Sequence, residues 1–147
     1  MLLQKHVRFL YEHGSLYKVY NGNLLFHASV PMNEDGTFRE VELLGKKVSG
    51  KAYLDEVDRL IRIACLPCRD WEEYPIALDY MWYWWCGPDS PSFDKHQMAN
   101  FERYLLSDKT PQKENQGPYY KLRNDSAVCD RILDEFGVIG EHRHIIN

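Results

Sequence analysis

The sequence predicts a mixed α/β (α+β) chain made of a β-hairpin, short strands and about five helices. Two observations carry the prediction. Apolar residues recur at helical spacing in five stretches, and an Asn-Gly pair sits between two β-rich runs. The two kinds of segment interleave with no linker, internal repeat or low-complexity tract between them, so residues 1–147 are expected to belong to a single domain.

The elements follow in order. Leu2, Leu3, Val7, Leu10 and Tyr11 mark an amphipathic helix over Leu2 to His13, with Gly14 placed to close it as a left-handed cap. Leu16 to Tyr20 and Leu24 to Val30 flank Asn21-Gly22-Asn23, the signature of a tight hairpin. Pro31 cannot donate to a sheet ladder, so the second strand should end there, before a polar loop through Asn33-Glu34-Asp35-Gly36. Phe38, Val41 and Leu43 indicate a weaker strand, with Gly45 as a turn and Lys46 to Val48 returning.

From Lys51 to Cys65, Leu54, Val57, Leu60, Ile61 and Ala64 form one stripe, and charged residues fill the other side of that helix. A further helix over Glu73 to Trp85 ends so apolar, in Tyr80-Met81-Trp82-Tyr83-Trp84-Trp85, that it should be covered on nearly all sides. Met98, Phe101, Tyr104 and Leu105 place a short helix within Lys95 to Leu106, and Ser107 to Gly117 reads as a surface loop. Asn124 is expected to cap a last helix whose apolar residues run from Val128 to Phe136, closed by Gly137. His144-Ile145-Ile146 reads as a terminal strand.

Composition narrows the function classes. Of 147 residues 14% are aromatic, too many buriable rings for a disordered chain. The longest apolar run, Tyr80 to Cys86, is far short of the roughly 20 residues that cross a bilayer, and the first residues lack the apolar core of a secretion signal. A formal charge of −4 argues against whole-protein attraction to nucleic acid or to an anionic membrane. Four cysteines without export features point to a reduced, cytoplasmic setting.

Several residues have chemistry to offer. His27 lies near the end of the clearest strand, where its imidazole is directed toward the following loop, either as a metal ligand or as a hydrogen-bonded structural side chain. Cys65-Leu66-Pro67-Cys68 has the spacing of half a zinc site or of a redox pair. His142 and His144 share one side of an extended segment and allow either metal binding or a plain polar strand. Lys18, Lys46, Lys47 and Lys51 read as a solvated surface. Arg103, Lys121 and Arg123 are flanked by Phe101, Tyr104, Tyr119 and Tyr120, an arrangement suited to pairing a sugar ring with its phosphates. Gly-rich phosphate loops, G-x-S-x-G elbows and H-E-x-x-H pairs do not occur.

Whole strings go further. Phe9-Leu10-Tyr11-Glu12-His13-Gly14-Ser15-Leu16-Tyr17-Lys18-Val19-Tyr20-Asn21-Gly22-Asn23-Leu24-Leu25-Phe26-His27 is one, and Val30-Pro31-Met32-Asn33-Glu34-Asp35-Gly36 is another. Met81-Trp82-Tyr83-Trp84-Trp85-Cys86-Gly87-Pro88-Asp89-Ser90-Pro91, Phe101-Glu102-Arg103-Tyr104, Pro118-Tyr119-Tyr120-Lys121-Leu122-Arg123-Asn124 and His144-Ile145-Ile146-Asn147 continue the pattern. Together they resemble the class III fructose-1,6-bisphosphatases of bacteria almost end to end.

The resemblance implies part of a calcineurin-like metallophosphoesterase sandwich, a layered pair of sheets flanked by helices. It implies a two-metal site, with Mn²⁺ or Mg²⁺ activating a water against the C1 phosphate of fructose 1,6-bisphosphate in gluconeogenesis. In the family pattern His27 corresponds to a metal-ligating histidine, the counterpart of the His-Gly-Gly histidine of protein phosphatases, with Ala28-Ser29 standing for Gly-Gly. The Asp-x-His, Gly-Asp-x-x-Asp-Arg-Gly and Gly-Asn-His motifs that supply most ligands are not in this sequence, and the family's Gly-His would begin just after Asn147. An incomplete portion of the catalytic domain is therefore expected, inactive alone and prone to self-association through apolar surface that the rest would cover. Two alternatives stay open: a non-enzymatic zinc-binding or interaction module using Cys65 and Cys68, and a metallophosphoesterase for another phosphoester, such as a phosphoprotein or a dinucleotide.

Overall fold

The computed structural model describes residues 2–65 and 71–147. Chain order is α1 (Leu2–His13), β1 (Tyr17–Tyr20), β2 (Asn23–Phe26), β3 (Val41–Leu43), β4 (Lys46–Val48), α2 (Gly50–Cys65), α3 (Tyr74–Cys86), α4 (Asn100–Leu105), a 3-10 turn at Thr110–Gln112, α5 (Tyr119–Leu122), α6 (Ser126–Glu135) and β5 (His144–Ile146). The mixed α/β class is as expected. Its sheets are small, one of three strands in the order β1-β2-β5 and one of two, β3-β4.

The hairpin forms at Asn21-Gly22, both with positive φ, as the tight turn requires. β1 and β2 pair antiparallel with Tyr17 opposite Phe26, and β5 returns to lie parallel to β2, with Leu24 opposite Ile145. Leu24 and Phe26 thereby point into the core. Helix α2 buries Tyr53, Leu54, Val57, Leu60, Ile61 and Ile63 along one stripe, against α3 on one side and α6 on the other. From α6 come Val128, Ile132 and Leu133, followed by Phe136 and Val138.

Several local expectations are corrected. β2 stops at Phe26, four residues short of the expected end at Val30, because Ala28 takes φ +67° and breaks the pleat. Gly14 is not a left-handed cap. Its N–H bonds the Leu10 carbonyl at 2.7 Å, and a Cβ there would stand 2.4 Å from that oxygen. The helix within Lys95 to Leu106 starts only at Asn100, because Lys95 pairs with Gln116 and the His96 N–H bonds the Asn115 carbonyl, so this backbone is spent on another segment.

The cap of α6 is Asp125 rather than Asn124, its carboxylate accepting from the Ala127 and Val128 N–H groups. Gly137 closes that helix at φ +70°, and bonds from Gly137 N–H to Asp134 O and Val138 N–H to Leu133 O complete a Schellman motif. The one-turn helix α5 falls in a stretch not read as helical.

The largest departure is α3. Only Ala77 and Tyr80 are buried on it, while Trp82 is 75% and Trp85 64% exposed. Among the described residues this helix, apolar on all sides, packs mainly against α2.

Candidate functional site

His27 occupies the bend directly after β2 and is exposed. The turn that carries it is held at several points. Asn147 Nδ2 donates to the Ala28 carbonyl at 2.8 Å, and the Ser29 N–H donates to the Pro91 carbonyl at 3.2 Å. Period-2 alternation along a continued strand would place Ser29 on the same face as His27. The left-handed Ala28 reverses that, and Ser29 is fully buried while His27 faces solvent.

A cleft of about 1400 Å³ opens between two distant segments. One wall is the Asn33–Glu40 loop, whose tight bend is fixed by Asp35 accepting from Thr37 N–H and Oγ1, with Gly36 at φ +77°. Those bonds hold the Asp35 carboxyl below its usual range. The other wall is Lys113–Lys121, and His96 contributes from the segment between α3 and α4. Lys121 Nζ spans the cleft to both Glu34 carboxylate oxygens, at 3.0 and 3.4 Å. Both side chains are about two-thirds exposed, so the pair is worth little and yields readily to a stronger anion.

The three candidate substrate cations thus have different places. Lys121 lines the cleft. Arg123 lies over the ring of Tyr120, a cleft residue, at 5.9 Å from its centroid. Arg103 does not line the cleft and is turned to the cleft-lining Glu114, at 3.3 Å. Glu114 also accepts from Lys95 Nζ at 2.8 Å and the Ala99 N–H at 3.1 Å, and these donors hold its carboxyl below the usual range. Arg103 therefore helps fix the wall that Lys121 and Tyr120 present.

Sequence reasoning missed Asp94, which packs against the cleft-lining Gly117. It is 3% exposed, sits at φ +45°, and accepts the Gly117 N–H on its backbone oxygen at 3.0 Å. Its carboxyl fills the space where any Cβ at residue 117 would go, 2.2 Å from Oδ1. Burial pushes the Asp94 carboxyl up, and the neighbouring Ser29 hydroxyl offsets part of that. The only sequence-level signal was its position between the loop breakers Ser90-Pro91 and the following helix.

The remaining candidates do not converge. His142 and His144 are exposed at the β5 end, and Lys46 and Lys47 are exposed on β4. Lys51 is committed to Asp55 at 2.6 Å. Burial pushes the Cys65 thiol up. Its proposed partner, Cys68, lies outside the described residues. Among the described residues no three His, Cys, Asp or Glu side chains cluster as a metal site. His27 is suited to be one ligand, yet the residues present do not make a two-metal centre.

Comparison with known proteins decides the family. The model of the firmicute fructose-1,6-bisphosphatase family matches residues 1–147. The chain belongs to that family. It is 57% identical to a class 3 fructose-1,6-bisphosphatase of Bacteroides fragilis and 57% identical to that of Phocaeicola vulgatus. With a Clostridium botulinum class 3 enzyme the identity is 50%. Each match covers 99% of this chain and 22% of the relative, so the chain spans about a fifth of their length. No solved structure matches.

Proposed function

We propose that this chain is a portion of the catalytic domain of a cytoplasmic fructose-1,6-bisphosphatase, which releases phosphate and fructose 6-phosphate from fructose 1,6-bisphosphate in gluconeogenesis. The observation that supports this best is the family match along all 147 residues. The metal dependence that the family implies, with Mn²⁺ or Mg²⁺ as the ion, requires ligands beyond this chain, to which His27 would add one imidazole.

What the chain's own residues supply is binding and orientation. A phosphate entering the cleft carries nearly two charges and displaces the single carboxylate of Glu34 from Lys121. Tyr120, with Arg123 over its ring, offers a flat face for the sugar, and Asn33, Asn115 and Gln116 offer hydrogen bonds to its hydroxyls. Specificity for a sugar bisphosphate over a simple phosphoester would then reside here.

The test places residues 1–147 in the Bacteroides fragilis relative, in exchange for its matching segment. Lys121→Glu in that chimera should raise KM for fructose 1,6-bisphosphate more than for an aryl phosphate. Equal effects on both substrates would remove Lys121 from the pocket. Purified residues 1–147 alone should release no phosphate with either metal, and metal-dependent release would refute the reading.

A further inference from the structure

Two buried polar groups lie in the segments that connect the His27 turn to the cleft-lining Gly117. Ser29 is fully buried and Asp94 nearly so, and among the described residues neither Ser29 Oγ nor Asp94 Oδ2 has a hydrogen-bond partner. A buried carboxyl that is poorly satisfied costs stability, and apolar packing would fill the same space more cheaply. The surroundings show what that cost maintains.

Three segments meet at Asp94. Its segment is tied to the His27 turn by the Ser29 N–H, which donates to the Pro91 carbonyl at 3.2 Å, three residues before Asp94. Its backbone oxygen holds the Gly117 N–H, and its carboxyl occupies the room left by the missing Cβ of Gly117. From Gly117 the chain continues directly into Pro118, Tyr120 and Lys121, which line the cleft. The third segment is its own, joined to Gln116 through Lys95. Asp94 itself has φ +45°, a strained conformation for a residue with a side chain.

We propose that Asp94 is a positioning residue, a buried clasp that sets the His27 turn in register with the Tyr120 and Lys121 wall of the cleft. That the two must be in register rests on the functional reading above. The clasp itself does not, and it is tested separately.

The first arm uses residues 1–147 as they stand, with amide hydrogen exchange read by NMR. Asp94→Ala should speed exchange at Ser29 and Gly117 together by about tenfold and shift the His27 ring signals, while amides of the distant β3-β4 hairpin hold their protection. Ser29→Ala, a smaller change, should loosen the same two amides, and Asp94→Asn, which keeps the shape of the side chain against Gly117, should leave them near the parent's protection. Uniform loss of protection in Ser29→Ala, or unchanged Ser29 and Gly117 amides in both alanine variants, would overturn the clasp.

The second arm uses the chimera. Asp94→Ala should lower kcat for the bisphosphate with KM little changed, and Asp94→Asn should recover it. A loss that Asn does not rescue, or one confined to KM, would overturn the positioning role. A chimera inactive with Asp94 in place would instead refute the functional reading and leave the exchange result to judge the clasp.

Discussion

Tyr53 on α2 and Tyr80 on α3 share a 2.8 Å hydrogen bond at the centre of the core. Tyr53 donates its own proton to the Asp89 carbonyl at 2.9 Å, so Tyr80 is the donor of the pair. One chain of hydrogen bonds thus ties both helices to the loop that leads to Asp94. Tyr53→Phe leaves the Tyr80 hydroxyl and the Asp89 carbonyl without their partner and should destabilise the fold by about 1–2 kcal/mol. Urea denaturation at pH 7 measures it.

The same pair sets the alkaline limit of stability. Burial raises both phenols above the ordinary value of 10.0. Above that pH the unfolded chain gives up these protons while the folded chain keeps them, so stability is full below about pH 10 and falls as pH rises beyond it. The urea midpoint should drop between pH 9 and 11, measured against a Tyr53→Phe, Tyr80→Phe variant whose midpoint drops less.

At the acid end Glu114 acts in the opposite sense. Lys95 and Ala99 N–H hold its carboxyl below the unfolded value of 4.5, so its contribution is present above that pH and lost as pH falls through the lower folded value. Glu114→Gln should flatten the acid limb of the stability curve and release Arg103 from the cleft wall. A limb as steep as that of the parent would show that the Lys95–Glu114–Arg103 cluster contributes nothing.

Much of the fold is legible in the sequence because it is written locally. Asn21-Gly22 forces the hairpin, and the stripe from Leu54 to Ile61 forces α2. Gly137 marks the end of α6 because only a residue free of a Cβ adopts φ +70° cheaply. Gly137→Ala should cost about 1 kcal/mol by that strain alone, since nothing lies within 4 Å of the new methyl group. A thermal melt of the variant checks this.

The site is less legible because it is assembled from far apart. Residues 33–40, 94–96 and 113–121 meet only through tertiary packing, and no spacing rule links Glu34 to Lys121. His27 was recognisable as an imidazole at a strand end, but alternation failed one residue later. Ala28 left the pleat and sent Ser29 inward, to Asp94.

Helix α3 misled for a different reason. Its apolar sequence announced burial, and the described residues bury only one side of it. Trp82, Trp85, Phe101 at 77% and Leu105 at 78% exposure leave a large apolar surface. Residues 1–147 should bind a hydrophobic dye and self-associate, and Trp82→Ser, Trp85→Ser should reduce both without lowering the urea midpoint. A monomer that binds no dye, by light scattering and fluorescence, would contradict this.

The central claim is that this chain contributes one imidazole and one cleft wall to a fructose bisphosphatase. It is tested most directly by phosphate release from fructose 1,6-bisphosphate in the Bacteroides fragilis chimera, with and without His27→Ala. The chimera should hydrolyse the bisphosphate and lose at least about a hundredfold in kcat without His27. A folded chimera that hydrolyses nothing, or one that works equally well without the imidazole, would contradict it.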